Sequence, residues 1–160
     1  AEFARRDAAG RGVGALSGRD EAVGTIGEAT VAVDYGVPLK RGRDIFGALV
    51  PFDEVWRTGA NRATHLTVDR DLVIGGTRVP AGSYTLFTVP GPREWTLIVN
   101  SATDINGNAY DPETDFARVP MQVRSIDPAV EPFTIIVDPE GFLRLRWDRT
   151  EAYVSVAEAP

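Results

Sequence analysis

Apolar and polar residues alternate along most of the chain after residue 24, and this period of two predicts β-strands. Successive side chains of a strand face opposite sides of a sheet, so an apolar residue at every second position indicates one buried face. The residues predicted to be buried in this way include Val31, Val33, Tyr35, Leu66, Val68, Tyr84, Leu86, Trp95, Leu97 and Val99. The tryptophans and most of the tyrosines fall in this inward register and are predicted to belong to the core.

A hairpin is predicted near the end of the chain. The alternating segments 133–137 and 143–147 flank Asp138-Pro139-Glu140-Gly141, which is typical of a type I turn closed by glycine. Residues 153–156 predict one further strand. Helix is predicted to be scarce, with at most one or two turns at residues 44–50 or 52–57. Pro120 interrupts an apolar segment and indicates an edge strand or a bulge, because proline donates no hydrogen bond to a neighbouring strand.

These patterns predict an all-β fold. About eight short strands separated by turn residues are typical of an antiparallel β-sandwich, here jelly-roll-like, rather than of alternating helices and strands. The predicted sandwich domain spans residues 25–160. Residues 1–24 are rich in glycine and show no periodicity, so they predict a flexible N-terminal arm that has too little apolar area to fold alone. Arm residues expected to contact a partner are Phe3, Arg5, Arg6, Val13 and Leu16.

Composition restricts the classes of function. The chain has 160 residues, a formal net charge of −6 and no cysteine, so nucleic acid is not expected as a partner and thiolate chemistry is excluded. No apolar stretch approaches the roughly 20 residues that cross a bilayer, so any membrane association is expected to be peripheral. The chain begins Ala1-Glu2-Phe3 without an initiator methionine, which predicts an extracytoplasmic protein whose signal peptide has been removed.

Several long sequence segments carry a family resemblance. They are Tyr35-Gly36-Val37-Pro38, Gly42-Arg43-Asp44-Ile45-Phe46-Gly47-Ala48-Leu49-Val50-Pro51, Val55-Trp56-Arg57-Thr58-Gly59-Ala60-Asn61 and Ala81-Gly82-Ser83-Tyr84-Thr85-Leu86. Together they resemble the bacterial family called domain of unknown function 2911, over about residues 26 to 157. The resemblance implies an exported bacterial protein and supplies no activity, cofactor or catalytic residue.

Arg57, Asn61 and His65 are the strongest candidates for a ligand site. An arginine fork, an amide and a glycine-opened loop are suited to recognising a carboxylate or a sugar hydroxyl, and His65 has the chemistry of a general base. The alternative is structural, because the same side chains also satisfy buried carbonyl groups in loops. No nucleophile with a neighbouring base is evident, so catalysis is not expected and no cofactor is predicted.

Two further clusters have both a structural and a functional interpretation. Asp104, Asn106, Asn108 and Asp111 offer oxygen ligands to calcium, although the glycine spacing is wrong for an EF-hand and turn formation explains these residues better. Arg144 and Arg146 alternate with apolar residues and are predicted to lie side by side on an outer strand face. There they either protect an edge strand or meet an acidic partner.

Three functions are consistent with these observations. The first is a non-enzymatic binding or scaffold domain, an accessory subunit that docks on a larger assembly through its arm and a sheet face. The host is a protein assembly, for example a membrane-bound respiratory or photosynthetic complex. The second is a small-ligand-binding protein or hydrolase with a pocket around Arg57, Asn61 and His65. The third is a free periplasmic domain that pairs with another copy of itself through an edge strand.

Overall fold

The fold consists almost entirely of antiparallel strands in a computed structural model that describes residues 18–60, 63–103 and 110–160. The described residues form nine strands, which confirms the all-β class. They are β1 (Gly18–Ile26), β2 (Ala29–Val37), β3 (Thr64–Val68), β4 (Leu72–Ile74), β5 (Thr77–Val79), β6 (Gly82–Val89), β7 (Glu94–Asn100), β8 (Asp115–Asp138) and β9 (Phe142–Glu158).

The nine strands belong to one open sheet with the order β1-β2-β3-β6-β7-β8-β9-β4-β5. Strand β8 joins its two parts: residues 115–122 pair with β7, and residues 122–138 pair with β9. Because the sheet turns over along β8, the strands before and after it form two layers around one core. The architecture is therefore sandwich-like, as the sequence predicts.

The core lies between the two layers and contains a group of aromatic rings. Phe46, Trp56, Trp95, Phe133 and Trp147 make edge or stacked contacts with ring centroids 4.8 to 6.2 Å apart. The buried residues around them include Val31, Val33, Leu66, Val68, Leu86, Leu97, Val99, Ile135, Leu143 and Leu145. The predicted inward positions of the strands are thus confirmed.

Tyr35 of β2 connects the two layers by a hydrogen bond. Its hydroxyl accepts the backbone N–H of Ile135 in β8 over 3.1 Å. Burial raises the pKa of Tyr35 to about 12, because the charged phenolate would lose its hydration there. The hydroxyl therefore stays neutral and keeps a buried backbone group paired.

Residues 18–24 correct the predicted boundary of the arm. They belong to β1, which pairs with β2 from Gly18 opposite Val37 to Ile26 opposite Ala29. The segment lacks a strong period because it is a half-exposed strand with one paired edge. Backbone pairing therefore orders a sequence that has little apolar area of its own. Residues 1–17, with the five predicted contact residues of the arm, lie outside the described residues.

Residues 44–57 form turns and isolated bridges, so the predicted helical turns there are wrong. The N–H of Val50 donates to the carbonyl of Ile45. Trp56 and Thr88, near the end of β6, each donate a backbone N–H to the carbonyl of the other. Pairing with β6 holds Trp56 against the core, which a helix would not allow. A 3₁₀ turn occurs elsewhere, at Pro112–Thr114.

The predicted hairpin is confirmed, and the predicted last strand is the second part of β9. Gly141 closes the turn with a φ of +113°, and its N–H donates to the carbonyl of Asp138 over 2.9 Å. Asp148 has a φ of +55°, and beyond it the buried positions change from odd to even residue numbers. Tyr153 therefore faces outward, in contrast to the inward register predicted for most tyrosines.

Pro120 occupies a local edge, as its sequence context predicts. It lies opposite Thr96 of β7, while pairing of β8 with β9 begins only at Gln122. At this position β8 has a ladder partner on one side within the described residues. The missing N–H of proline is tolerated there.

Candidate functional site

The strand register places the predicted site residue His65 in a polar row across the outer face of the first layer. Asp34 of β2 lies opposite His65 of β3, His65 lies opposite Thr85 of β6, and Thr85 lies opposite Asn100 of β7. Asn100 in turn lies opposite Asp115 of β8. The row joins five strands, so it could not be read from sequence spacing.

His65 is half-buried, and its Nε2 atom is buried without a hydrogen-bond partner among the described residues. The neighbouring carboxylate of Asp34 is bound by Arg19, whose Nε donates to Oδ1 over 2.9 Å. Arg19 also donates through Nη2 to the carbonyl of Ala63 over 2.7 Å. A buried nitrogen without a partner costs about 1–3 kcal/mol, so His65 is the member of the row that a ligand would satisfy.

Arg57 makes a hydrogen bond within its own loop. Its Nε donates to the carbonyl of Gly59 over 3.4 Å, a long hydrogen bond, and His65 makes no hydrogen bond to Arg57 within the described residues. Asn61, the third member of the predicted site, lies outside the described residues. The predicted group of three residues therefore stays a prediction, because one of its members is not described.

The loop between Arg57 and His65 is held by buried threonines and a close backbone contact. Thr64 donates through Oγ1 to the carbonyl of Thr58 over 2.8 Å, and the hydroxyls of Thr58 and Thr88 lie 3.0 Å apart. Ala60 donates its N–H to the carbonyl of Gly36 over 3.3 Å. These contacts favour the structural interpretation of the loop.

The predicted calcium ligands are only partly described. Asp104, Asn106 and Asn108 lie outside the described residues. Asp111 caps the 3₁₀ turn, with its Oδ1 accepting the N–H of Glu113 over 2.9 Å. No group of three acidic or histidine side chains suited to a metal is found in the described ranges. Asp111 therefore has a turn-forming role, which is the interpretation that the sequence favours for these residues.

Asp115 ends the polar row and anchors the segment before β8. Its Oδ1 accepts Asn100 Nδ2, and its Oδ2 accepts both the Tyr110 hydroxyl and Arg118 Nε at 2.5 and 2.9 Å. Burial, followed by the hydrogen bond that the hydroxyl donates to Asp115, raises the pKa of Tyr110. Both carboxylate oxygens are thus engaged by the protein itself.

A second cluster lies on the outer face of β8 and β9 and contains a buried carboxylate. Glu151 is fully buried and is bound by three arginines, here called the arginine cluster: Arg124, Arg144 and Arg146. Oε2 accepts Arg124 Nε over 2.8 Å and Arg144 Nη1 over 2.9 Å. Oε1 accepts Arg146 Nε.

The bend in the β8–β9 hairpin creates this cluster. Between the pairs Ser125–Thr150 and Val130–Asp148, β8 advances by five residues while β9 advances by two. Strand β9 therefore lies on the inside of the bend, and the N–H of Val156 reaches the carbonyl of Gly141 over 2.9 Å. Side chains seven residues apart along β9, Arg144 and Glu151, meet for this reason.

Aromatic rings and a second carboxylate hold the arginines in place. The guanidinium of Arg144 lies 4.7 Å from the ring centroid of Phe142 and 5.5 Å from that of Tyr153, and its Nε donates to Asp138 over 3.0 Å. Arg124 lies 5.8 Å from the Tyr153 ring. Such cation–π contacts restrict the rotamers of long side chains.

Glu151 is ionised in this environment. Burial acts to raise its pKa, but hydrogen bonds from Arg146 and Arg124 together with their charges lower it below the usual value. The pKa of Asp138 is also lowered, first by the backbone N–H of Glu140 and then by Arg144. The cluster is thus a network of full charges.

The sequence predicts part of this cluster. Alternation places Arg144 and Arg146 on an outer face, but Glu151 and Arg124 carry no signal that links them to these arginines. The bend at Asp148 brings the four residues together, and nothing in a period of two predicts it.

The fold and the arginine cluster define a sandwich-like, all-β domain with a basic site on an outer sheet face. Residues 17–156 match the family described as a protein of unknown function (DUF2911), and the chain belongs to this family. The resemblance found in the sequence is thereby confirmed. No curated protein and no solved structure matches the chain. Among the described residues, no helix is long and apolar enough to cross a membrane.

Proposed function

We propose that the chain is a non-enzymatic extracytoplasmic binding domain, an accessory subunit that docks on a larger protein assembly through its N-terminal arm and a sheet face. The observation that carries this proposal is the arginine cluster on the outer face of β8 and β9. Three guanidinium groups surround one buried carboxylate there, so positive charge is held at a fixed place on a surface. Ordered arginines beside aromatic rings are typical of protein interfaces.

The remaining chemistry of the described residues favours binding over catalysis. Catalysis by a nucleophile requires a base within hydrogen-bond reach, and the buried hydroxyls of Thr58, Thr64 and Thr85 instead donate to backbone carbonyl groups. A membrane-bound respiratory or photosynthetic complex is one host that such an extracytoplasmic subunit would suit. The arm would add contacts beyond those of the sheet face.

A quantitative pull-down tests the docking face. The full chain is used as bait against native membranes, and proteins captured by the Arg124→Gln/Arg146→Gln chain are compared with those captured by the unchanged chain. Charge-assisted hydrogen bonds contribute about 1.5–3 kcal/mol each, so we expect the specific partner to be captured at least about tenfold less.

The matched control is the Arg41→Gln/Arg93→Gln chain, which loses the same charge at two exposed positions. It is expected to capture the partner normally. Equal capture by the cluster variant and this control would reject the docking face. A chain without residues 1–17 measures the contribution of the arm, because a longer deletion would remove part of β1.

A small-ligand-binding site at His65 is the second candidate function, and the observation that favours it is the buried Nε2 atom, which has no hydrogen-bond partner in the described part of the chain. We expect His65→Leu to raise the free energy of unfolding of the ligand-free chain by about 1 kcal/mol, because it removes a buried nitrogen without a partner. Urea denaturation measures this change, and Thr67→Val, at an exposed position on the same strand face, is the control. A lower stability of His65→Leu would show that Nε2 is already paired and would contradict a ligand site at His65.

A further inference from the structure

The arginine cluster retains hydrogen-bond donors that Glu151 does not use. Arg124 and Arg146 each bind Glu151 through Nε, and in the part of the chain that the structure describes their Nη1 and Nη2 atoms have no hydrogen-bond partner. The side chains of Arg124 and Arg146 are 52% and 34% exposed, whereas Glu151 is fully buried. The unused donors are therefore available at the surface.

The charges of the cluster do not balance. Three arginines face two carboxylates, Glu151 and Asp138, so one positive charge is in excess. The whole chain, in contrast, has a formal net charge of −6. The cluster is thus a local positive site on an acidic protein, and its complement is an anionic group.

Two members of the cluster provide the exposed donors. Arg124 of β8 and Arg146 of β9 bind opposite oxygens of the same buried carboxylate, Glu151, so both lie beside it on one face. Arg144 is 16% exposed and already donates to Asp138 and Glu151. An arginine guanidinium binds a carboxylate through two parallel N–H groups, so Arg124 and Arg146 can each take one carboxylate of a partner.

The arginines are already ordered before any partner binds. Arg144 is held by two carboxylates and two rings, and Arg124 and Arg146 are fixed to opposite oxygens of Glu151. Ordering these side chains costs little at the moment of binding, and this favours a specific complex over loose ion pairing.

We infer that the arginine cluster binds the carboxylate side chains of an acidic protein segment that carries several acidic residues. This inference rests on the proposed function, because it names the chemistry of the partner at the same sheet face. Arg124 and Arg146 provide the exposed forks, and Arg144 together with the Phe142 and Tyr153 rings provides the ordered base beneath them.

The test measures binding of a fluorescent peptide of four Glu-Ser repeats to the full chain by anisotropy at low salt. A peptide of four Gln-Ser repeats is the neutral comparison. We expect the acidic peptide to bind at least about tenfold more tightly, and the Arg124→Gln/Arg146→Gln chain to lose this preference. The Arg41→Gln/Arg93→Gln chain keeps it.

A second variant separates recognition from net charge and from misfolding. Arg124→Lys/Arg146→Lys retains both charges but cannot form the two-bond contact, so we expect it to bind the acidic peptide several-fold more weakly. Thermal unfolding confirms that each variant is folded. Equal affinity of the lysine variant and the unchanged chain would overturn a role for the arginine forks.

Other anions provide the opposing outcomes. Inorganic phosphate and vesicles containing phosphatidylserine are tested with the same chains. Binding of either that depends on Arg124 and Arg146, without binding of the acidic peptide, would overturn the inference. If the peptide fails while the pull-down still depends on these arginines, the docking function stands and only the acidic segment is rejected.

Discussion

The Glu151→Gln substitution is expected to lower the free energy of unfolding by about 3 kcal/mol at pH 7. Glu151 is the only carboxylate bound by all three members of the arginine cluster among the described residues, and it is fully buried. Glutamine leaves three guanidinium groups close together with no negative charge between them. Breaking a buried ion pair usually costs about 3–5 kcal/mol. The lower end of this range is expected here because the side chains of Arg124 and Arg146 are partly exposed and keep part of their hydration.

The same variant has a defined dependence on pH. The pKa of Glu151 is lowered in the folded state, so its stabilising contribution is complete above its ordinary value of 4.5 and is lost as the pH falls through the folded-state pKa. Urea denaturation from pH 3 to 8 should therefore give a stability difference between the two chains that is constant near neutrality and shrinks below about pH 4.5.

Glu140→Gln is the control for this measurement. Glu140 lies in the exposed turn of the same hairpin, and its replacement removes one negative charge without touching the arginine cluster. Its effect is expected to stay within about 0.5 kcal/mol. If Glu151→Gln were no more destabilising than Glu140→Gln, the cluster would contribute nothing to the fold.

Gly36→Ala is expected to lower the free energy of unfolding by at least about 3 kcal/mol, the upper end for added volume in a packed site. A Cβ atom at Gly36 would lie 1.8 Å from the carbonyl oxygen of Ala60. The obstacle is backbone that is itself held by the buried threonines before His65, so it cannot move aside as a flexible side chain would. Chemical denaturation followed by tryptophan fluorescence measures the loss.

Gly42→Ala distinguishes this clash from the general effect of replacing a glycine. Gly42 has a φ of +72° and open space around the position of a Cβ atom, so only backbone strain is expected, at about 1 kcal/mol. If Gly36→Ala and Gly42→Ala lowered the free energy of unfolding by similar amounts, the backbone at Ala60 would have moved to make room for the new Cβ atom. That result would contradict the close contact between Gly36 and Ala60.

The sequence predicted the strands of this fold better than their boundaries. Alternation identified the buried faces of β2, β3, β7 and the hairpin, because burial of one sheet face imposes a period of two. It did not identify residues 18–24 as strand, since an edge strand with an exposed face has no need of that period. The turns at 44–57 were also missed, because pairing of Trp56 with Thr88 is a long-range contact.

Prediction of the site was limited by the same long-range geometry. The chemistry of His65 makes it a candidate from the sequence, and its Nε2 atom is buried without a partner among the residues that the structure describes. Arg144 and Arg146 were placed on the outer face by alternation, whereas Glu151 joined them only through the bend of β9. Local periodicity reports which way a side chain faces, but it does not report which distant side chains share that face.

Strand β8 has a consequence for how the protein loses its structure. Its first part belongs to the layer of β7 and its second part to the layer of β9, so one continuous backbone is common to both halves of the sheet. Separating the halves would distort β8 at Gln122, which pairs with both Glu94 of β7 and Tyr153 of β9, and it would also release Tyr35 from Ile135. The two layers are therefore one cooperative unit, and neither is an independently folding subdomain.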